Sequence, residues 1–337
     1  MNLKLKIAVA SVLDKSGIIS AIRNYRSTRA GLVLTLHRVL PAGEAEQSFE
    51  PSVTLTDKVF EQLLILLCRE FRVVSLPQLL EQPEDIDHRQ RVAVSFDDGW
   101  VDTYVHAYPL LLKYEVPATV FLCPGLMAEG KILPEERFVR IWQWCVKNGY
   151  LKFLLRDLRT WGLDGGVSLA RYTWSRSAKR LAMNAKMLML NYLENTYGVP
   201  QSSERRFLSW DEVNIMRRSS ITFGSHTMHH STLTAEQHPS LDEELRKSRE
   251  IMEFRLQKEM RLLAYPNGAY DARVIEAARQ AGYSHCFTTE QGNFRREANC
   301  FAIPRINVED SVIVNRTSCL HASRARFHLQ HLVGQHS

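Results

Sequence analysis

The six cysteines form no CxxC pair and show no zinc-finger spacing, which argues against a dithiol redox motif and a cysteine-based metal finger. Several of them lie in apolar runs, as Cys68 does directly after Leu63–Leu67. We therefore expect buried, reduced thiols, and reduced thiols favour a cytoplasmic setting.

No apolar run is long enough to cross a membrane, and no convincing signal-peptide cleavage site follows the short apolar stretch Ile7–Leu13. The N-terminal segment, residues 1–29, mixes aliphatic residues with lysines and arginines. This composition is typical of a basic amphipathic helix on an anionic membrane, and equally of a helix packed on the protein's own surface. We therefore expect a cytoplasmic protein, either free or peripheral at the inner face of the membrane.

Internal repeats, low-complexity segments and concentrated basic patches are also missing. The 337 residues suffice for one large α/β domain or two ordinary domains. The formal net charge of +6 is small, and the arginines are spread through the chain. Because nucleic-acid binding needs a concentrated patch or a known motif, we expect no nucleic-acid partner. The sequence gives no indication of the oligomeric state.

Apolar runs alternate with helical patterns from residue 31 onward. Predicted strands at 31–38, 71–76, 92–96 and 117–123 are separated by amphipathic segments, as in a parallel sheet or barrel of the α/β class.

Residues of about 130–207 interrupt this alternation with four tryptophans and a long helical run over 177–197. We predict a helical insertion here, inside a barrel domain spanning 30–315 and followed by a C-terminal tail, 316–337. The tryptophans would either stack on sugar rings or form the core of the insertion.

Two adjacent carboxylates, Asp97 and Asp98, follow the apolar run 92–96 and precede Gly99. Ligands collect at strand ends in α/β proteins, so this pair is a candidate site. Two neighbouring acids repel each other, and a divalent metal on one of them would leave the other free as a base. The same three residues also make an ordinary polar turn, and the pair alone leaves both interpretations open.

Three histidines, His226, His229 and His230, follow a second short apolar run. The four-residue spacing of His226 and His230 predicts a helical turn with both imidazoles on one face, a common geometry for a metal site. The alternative is a solvated polar loop. His37, at the end of the first predicted strand, is a further candidate, although a lone histidine there is usually structural.

Three segments together resemble, in order and approximate spacing, the first three motifs of the polysaccharide deacetylases, carbohydrate esterase family four with its NodB-homology domain. The segments are Ser95–Gly99, Ser225–His230 and Ala264–Gly268. The resemblance covers residues 30–310 apart from the insertion. It implies a distorted (β/α)7-type barrel and metal-dependent N-deacetylation of an amino-sugar saccharide.

The resemblance also implies a role for each matching residue. It assigns the metal ligands to Asp98, His226 and His230, the general base to Asp97, and the oxyanion and substrate contacts to Pro266, Asn267 and Gly268. The family's metal is commonly zinc, although a site of two histidines and an aspartate also accepts cobalt or nickel.

Two departures from the family pattern lead to two hypotheses. The third motif usually has an arginine two residues before its proline, where this chain has Ala264. We expect Arg305 to reach the base from the last strand instead. The Leu-x-Ile-x-x-His motif that supplies the acid is absent after Phe301. In relatives that deacetylate poly-N-acetylglucosamine, a histidine on an early strand supplies the acid instead. His37 resembles that histidine in its position.

The predicted function is therefore removal of N-acetyl groups from an amino-sugar-containing polysaccharide, oligosaccharide or lipid-linked saccharide, with exopolysaccharide biosynthesis as its setting. One alternative is deformylation of a lipid-linked amino sugar. Another is a non-catalytic carbohydrate-binding protein on the same fold, although the intact acid and histidine set argues against it.

Overall fold

The computed structural model describes residues 31–331, apart from 47, 50–52, 82–88, 129–130, 164–170, 296–298, 309–312 and 315–318. The predicted basic N-terminal segment, 1–29, lies outside the described residues. Among the helices of the described part, none is both long and apolar enough to span a bilayer.

Short strands alternate with helices along the chain, as the sequence predicts. The strands are Leu32–Leu36 (β1), Arg38–Leu40 (β2), Thr54–Thr56 (β3), Arg72–Val73 (β4), Arg91–Phe96 (β5), Ala118–Leu122 (β6), Ile221–Ser225 (β7), Leu262–Ala264 (β8), His285–Phe287 (β9) and Ile306–Asn307 (β10). The α-helices are Ala42–Ala45 (α1), Asp57–Glu70 (α2), Leu76–Glu81 (α3), Tyr108–Lys113 (α4), Pro134–Lys147 (α5), Leu151–Thr160 (α6), Arg171–Ala178 (α7), Met183–Tyr197 (α8), Trp210–Met216 (α9), Ser240–Leu256 (α10), Ala272–Gln280 (α11) and Ala322–His331 (α12).

A curled parallel sheet forms the centre of the fold. Its strand order is β10-β1-β5-β6-β7-β8-β9, and β4 pairs with the beginning of β5. After β9, Ile303 pairs with Phe287, and Ile306 then pairs with Leu34 of β1. This segment links the two edges of the sheet, and helices cover its outer face. The predicted distorted (β/α)7-type barrel is confirmed.

Helix α2 shows how the local sequence sets this architecture. The hydroxyl of Thr56 accepts the backbone N–H of Val59 and caps the helix. Phe60 and Leu67 recur at helical spacing and are fully buried, and burial of each such side chain contributes about 1.5–3 kcal/mol. The same period turns Cys68 outward, so the prediction that this thiol is buried is wrong. Cys123, Cys145 and Cys286 are buried, and none of the six cysteines, all within the described part of the chain, forms a disulfide.

The strand predicted over 71–76 is shorter than expected. Strand β4 comprises Arg72–Val73, and helix α3 begins at Leu76. Oε1 of Gln78 accepts hydrogen bonds from the backbone N–H and the hydroxyl of Ser75, both at 3.0 Å. In return, Oγ of Ser75 accepts the backbone N–H of Gln78 at 3.3 Å. This local capping ends the strand and starts the helix, because serine hydroxyls compete well for free N–H groups at helix starts.

Helices α5 to α8 occupy the region predicted as an insertion and pack around a core of their own. Trp142 and Trp174 are buried in this core, while Trp144 and Trp161 pack against it. The structure therefore favours the core interpretation of these four tryptophans over exposed stacking on sugar rings.

The helical run predicted over 177–197 is divided into the end of α7 and the whole of α8. Ala182 is extended, with ψ 150°, which interrupts the helix. The N–H of Met183 donates to Oε1 of Glu236 at 2.6 Å instead of continuing the helical ladder. A carboxylate from outside the insertion thus satisfies the first turn of α8.

The C-terminal tail contains helix α12. Ala325 and Leu329 of this helix are buried in the main core. Its Arg326 pairs with Glu70 at the end of α2, with Nη2 and Oε1 2.8 Å apart.

Candidate active site

The residues predicted as a site meet at the carboxyl ends of the parallel strands. Asp97 and Asp98 follow β5, His226 and His230 follow β7, and the Pro266–Gly268 turn follows β8. Parallel strands direct their carboxyl ends to one face of a barrel, and side chains from different strands converge there.

The chain reverses direction directly after the first carboxylate. Asp98 and Gly99 both have left-handed backbone angles, with φ 71° and 73°. A Cβ atom on Gly99 would lie 2.7 Å from Cδ2 of Leu122, and its positive φ also favours glycine at this position. The left-handed conformation of Asp98 is the kind of backbone strain that is concentrated at functional sites.

Asp98 directs one carboxylate oxygen at two histidines. Its Oδ2 accepts a hydrogen bond from Nε1 of Trp100 at 2.9 Å. Its Oδ1 is buried, has no hydrogen bond within the described structure, and lies 3.3 Å from Nε2 of His226 and 3.4 Å from Nε2 of His230. Burial raises the pKa of Asp98, but the two histidines and His37 lower it by a larger amount. The net pKa is below the usual value, so this carboxyl is ionised.

These three side chains fit a divalent metal ion. One donor atom from each of Asp98, His226 and His230 lies within 4.8 Å of the others, and all three residues are buried. A buried carboxylate oxygen without a hydrogen bond, facing two imidazole nitrogens, is satisfied by a cation between them. One oxygen and two nitrogens are also a common protein ligand set for zinc, with positions left open for water or substrate.

The histidines converge through a turn and not through a helix, so the predicted helical turn is wrong. Thr227 and His230 have φ 65° and 61°, which an α-helix does not allow. The hydroxyl of Thr227 accepts the N–H of Ser231 at 3.3 Å and closes the turn. The two imidazole rings nevertheless lie together, with centroids 5.0 Å apart.

The second nitrogen of each histidine determines which atom faces the site. Nδ1 of His226 donates to the carbonyl oxygen of Ala264 at 2.7 Å, which leaves Nε2 free to bind a metal. Nδ1 of His229 pairs with Oε1 of Glu244 at 2.7 Å, and the side chain of His229 is 46% exposed. His229 is therefore turned away from the cluster.

Arg305, which directly precedes β10, holds Asp97 in place. Nη1 and Nη2 of Arg305 donate to the two oxygens of Asp97 at 2.8 and 2.7 Å. Nε of Arg305 donates to the carbonyl oxygen of Thr288 at 3.0 Å, and the side chain is 1% exposed. Burial raises the pKa of Asp97, but the charges of Arg305 and His226 lower it by a larger amount, so the net pKa is below the usual range. Asp97 is therefore an oriented, ionised carboxylate.

His37 follows β1 and lies near both carboxylates. When it is protonated, its charge lowers the pKa of Asp97 and of Asp98. Its Nδ1 is buried and makes no hydrogen bond with any residue that the structure describes.

The third motif forms a tight turn at the same face. Asn267 and Gly268 have φ 58° and 65°, and a Cβ on Gly268 would lie 2.0 Å from Oγ1 of Thr289. Nδ2 of Asn267 donates to Oγ1 of Thr232 at 3.1 Å, which ties this turn to the segment after the histidines. Within the turn, the N–H of Gly268 donates to the carbonyl oxygen of Tyr265 at 2.8 Å and that of Ala269 to the carbonyl oxygen of Pro266 at 3.2 Å.

Sequence reasoning missed two side chains beside the candidate metal ligands. Trp100 donates a hydrogen bond to Asp98, and its position directly after the first motif was a signal that could have been used. Glu135 comes from the insertion and lies 3.6 Å from His230. Burial raises the pKa of Glu135, but Lys186 and His230 lower it by a larger amount, so the net pKa is below the usual value. No sequence pattern connects this residue with the histidines.

The fold is similar to those of solved deacetylase structures. The Streptococcus pyogenes deacetylase PplD in complex with acetate matches with a TM-score of 0.56 and 17% identity, over 84% of this chain and 94% of that chain. IcaB from Ammonifex degensii matches with a TM-score of 0.54 and 18% identity, over 90% and 97% of the two chains. At these identities the likeness establishes the fold.

The sequence itself matches the same kind of protein. YxkH of Bacillus subtilis, a protein assigned to the polysaccharide deacetylases, is 20% identical over 217 residues. This match covers 64% of the chain and spans about half, 51%, of YxkH. The family model for polysaccharide deacetylase matches residues 85–286, more than half of the chain. The chain therefore belongs to the polysaccharide deacetylase family.

Proposed function

We propose that the chain is a metal-dependent hydrolase that removes N-acetyl groups from an amino-sugar-containing saccharide. The observation that carries the proposal is the arrangement of two adjacent carboxylates in two different environments. Asp97 is paired with an arginine, and Asp98 faces two imidazole nitrogens. One acid is thus suited to proton transfer and the other to holding a cation.

Asp98, His226 and His230 would hold the metal. Zinc suits this set of one oxygen and two nitrogens, and cobalt or nickel would also be accepted. When bound, a divalent ion would polarise the amide carbonyl and lower the pKa of water at the site.

Asp97 would act as the general base. Its carboxylate would accept a proton from the water whose oxygen adds to the amide carbon, and the contact with Arg305 would keep it ionised and correctly oriented. A backbone N–H near Asn267 would donate to the oxygen that becomes negative. His37 would then give a proton to the departing amine as the carbon–nitrogen bond breaks, releasing acetate and a free amino sugar.

Family membership and the structural relatives support this reaction type. PplD was solved with acetate, the product of deacetylation, and a relative from Aggregatibacter actinomycetemcomitans is described as a de-N-acetylase. The substrate of this chain, whether polymer, oligomer or lipid-linked saccharide, is part of the proposal, as is its biosynthetic setting. The cytoplasmic or membrane-peripheral location stays a prediction.

The test is acyl release by the zinc-loaded chain from N-acetylglucosamine oligomers and from their N-formyl counterparts. We expect acetate from the wild type and none from Asp97→Asn, which keeps the shape of the side chain but removes the base. Formate release without acetate would replace the proposal with the deformylase alternative. Saccharide binding without release of either acid would favour the non-catalytic alternative.

A further inference from the structure

The insertion places a carboxylate next to the candidate metal site. Glu135 lies in the first turn of α5, and its side chain is 12% exposed. Its Oε2 atom is 3.6 Å from Nδ1 of His230, on the opposite side of the ring from the Nε2 atom that faces Asp98. A residue outside the three family motifs therefore contacts the proposed ligand set.

The two facing atoms lack other partners. Nδ1 of His230 and Oε2 of Glu135 are both buried, and neither has a hydrogen bond within the described residues. A buried polar atom without a partner destabilises the fold. A distance of 3.6 Å exceeds that of a hydrogen bond, but an approach of about 0.6 Å would join the two atoms and satisfy both.

A buried lysine holds the other oxygen of Glu135. Nζ of Lys186, on α8, lies 3.4 Å from Oε1, and the lysine side chain is 3% exposed. A buried carboxylate and a buried ammonium group each need an opposite charge, so this pair stabilises both. Two helices of the insertion thus direct the free oxygen of Glu135 at His230.

A contact with Glu135 would give Nδ1 of His230 a hydrogen-bond acceptor, as Nδ1 of His226 already has. His226 already donates its Nδ1 proton to the carbonyl oxygen of Ala264. Metal-binding histidines usually donate the second ring N–H to a carboxylate or carbonyl, which fixes the tautomer and the direction of the ring. Glu135 is the group that stands in this position for His230.

We propose that Glu135 is a positioning residue for the metal site. By accepting the Nδ1 proton of His230, it directs Nε2 of that ring towards the metal, with Lys186 holding the carboxylate in place. The inference rests on the proposed metal-dependent function and extends it, because it makes the insertion a contributor to the site.

The test is the zinc affinity of the 337-residue chain, measured by competition with a chromophoric chelator. Loss of such outer contacts typically weakens metal binding by about 10–100-fold, and we expect a change of this size for Glu135→Gln. The matched control is Glu136→Gln, the next residue on the helix, which is 4% exposed and pairs with Arg206 at 3.0 Å. It should bind zinc like the wild type.

A second variant separates positioning from misfolding. Glu135→Met/Lys186→Met removes both buried charges together, so no unpaired charge remains. We expect its zinc affinity to stay as weak as that of Glu135→Gln, with an unfolding midpoint of the metal-free chain close to that of the wild type. Recovery of wild-type affinity in the double variant would overturn the proposal.

Two further outcomes separate this inference from the proposed function. If the wild type and Glu135→Gln both bind zinc tightly, within twofold of each other, Glu135 has no positioning role and the metal site stands. If the wild type binds no zinc, the proposed metal-dependent function fails, and the role of Glu135 fails with it.

Discussion

Replacing Arg305 by alanine should damage both stability and turnover. The guanidinium group makes two hydrogen bonds of 2.7–2.8 Å with Asp97, and the two side chains are 1% and 3% exposed. Removing one partner of such a pair leaves a buried, unpaired charge and costs about 3–5 kcal/mol of folding free energy. The carboxylate would also lose its orientation.

The same substitution should change the pH dependence of turnover. Burial raises the pKa of Asp97, and the charge of Arg305 is the largest effect that lowers it. A base with a lowered pKa stays ionised until the pH falls through that value. In Arg305→Ala the pKa rises, so activity should be lost at a higher pH on the acidic side of the profile.

The measurement is kcat against pH for the zinc-loaded wild type, Arg305→Ala and Arg305→Lys. We expect kcat of Arg305→Ala to fall by at least about tenfold and at most by the 10²–10⁴-fold that a general base contributes, and lysine to restore part of it. Arg137→Ala is the matched control, since Arg137 makes a similar two-point contact with Glu194 at 2.6 and 2.9 Å within the insertion. It should lose stability without shifting the acidic limb. Unchanged kcat and an unchanged acidic limb in Arg305→Ala would refute the assignment.

Three further predictions concern other contacts. His37→Ala should lower turnover by about 10²–10⁴-fold while the zinc content stays at the wild-type level, and near-normal activity would exclude His37 as the acid. Trp100→Phe removes the hydrogen bond to Oδ2 of Asp98 but keeps an aromatic ring, so zinc affinity should fall by about tenfold; equal affinity in chelator competition would contradict this. Burial raises the pKa of Glu70, but Arg326 and Arg69 lower it further. Its ionised form therefore stabilises the fold above the ordinary glutamate pKa, and this contribution is lost as the pH falls. In urea unfolding, the wild type should therefore have a higher free energy of unfolding than Glu70→Gln at neutral pH, and this difference should shrink as the pH falls. A difference that stays constant across acidic pH would contradict the prediction.

The meeting of the three motifs could be predicted from the sequence because it depends on barrel geometry. Asp98 and the histidines each follow a strand, and the carboxyl ends of parallel strands share one face. The placement of Arg305 follows from the same geometry, since the last strand, β10, lies beside β1, which lies beside β5. Residues far apart in the chain are therefore brought together by strand order alone.

Local backbone geometry was harder to predict. The spacing of His226 and His230 suggested a helical turn, but Thr227 and His230 adopt left-handed angles that no residue type announces. The shortened strand near Ser75 has a similar cause, since a few side-chain hydrogen bonds outweigh the strand preference of the neighbouring residues.

Contacts made by the insertion could not be predicted at all. Glu135 reaches His230 because α5 and α8 pack against the barrel in one particular orientation. This orientation depends on tertiary packing around the tryptophan-containing core, and no periodicity of the sequence reports it.

Zinc titration of the metal-free chain tests the central claim most directly. Acetate release from N-acetylglucosamine oligomers would be followed as zinc is added, for the wild type and for His226→Ala. The account predicts no release before zinc, a rise that saturates at one zinc per chain, and no restoration in His226→Ala at the same concentrations. Full acetate release by the metal-free wild type, or equal restoration in His226→Ala, would contradict it.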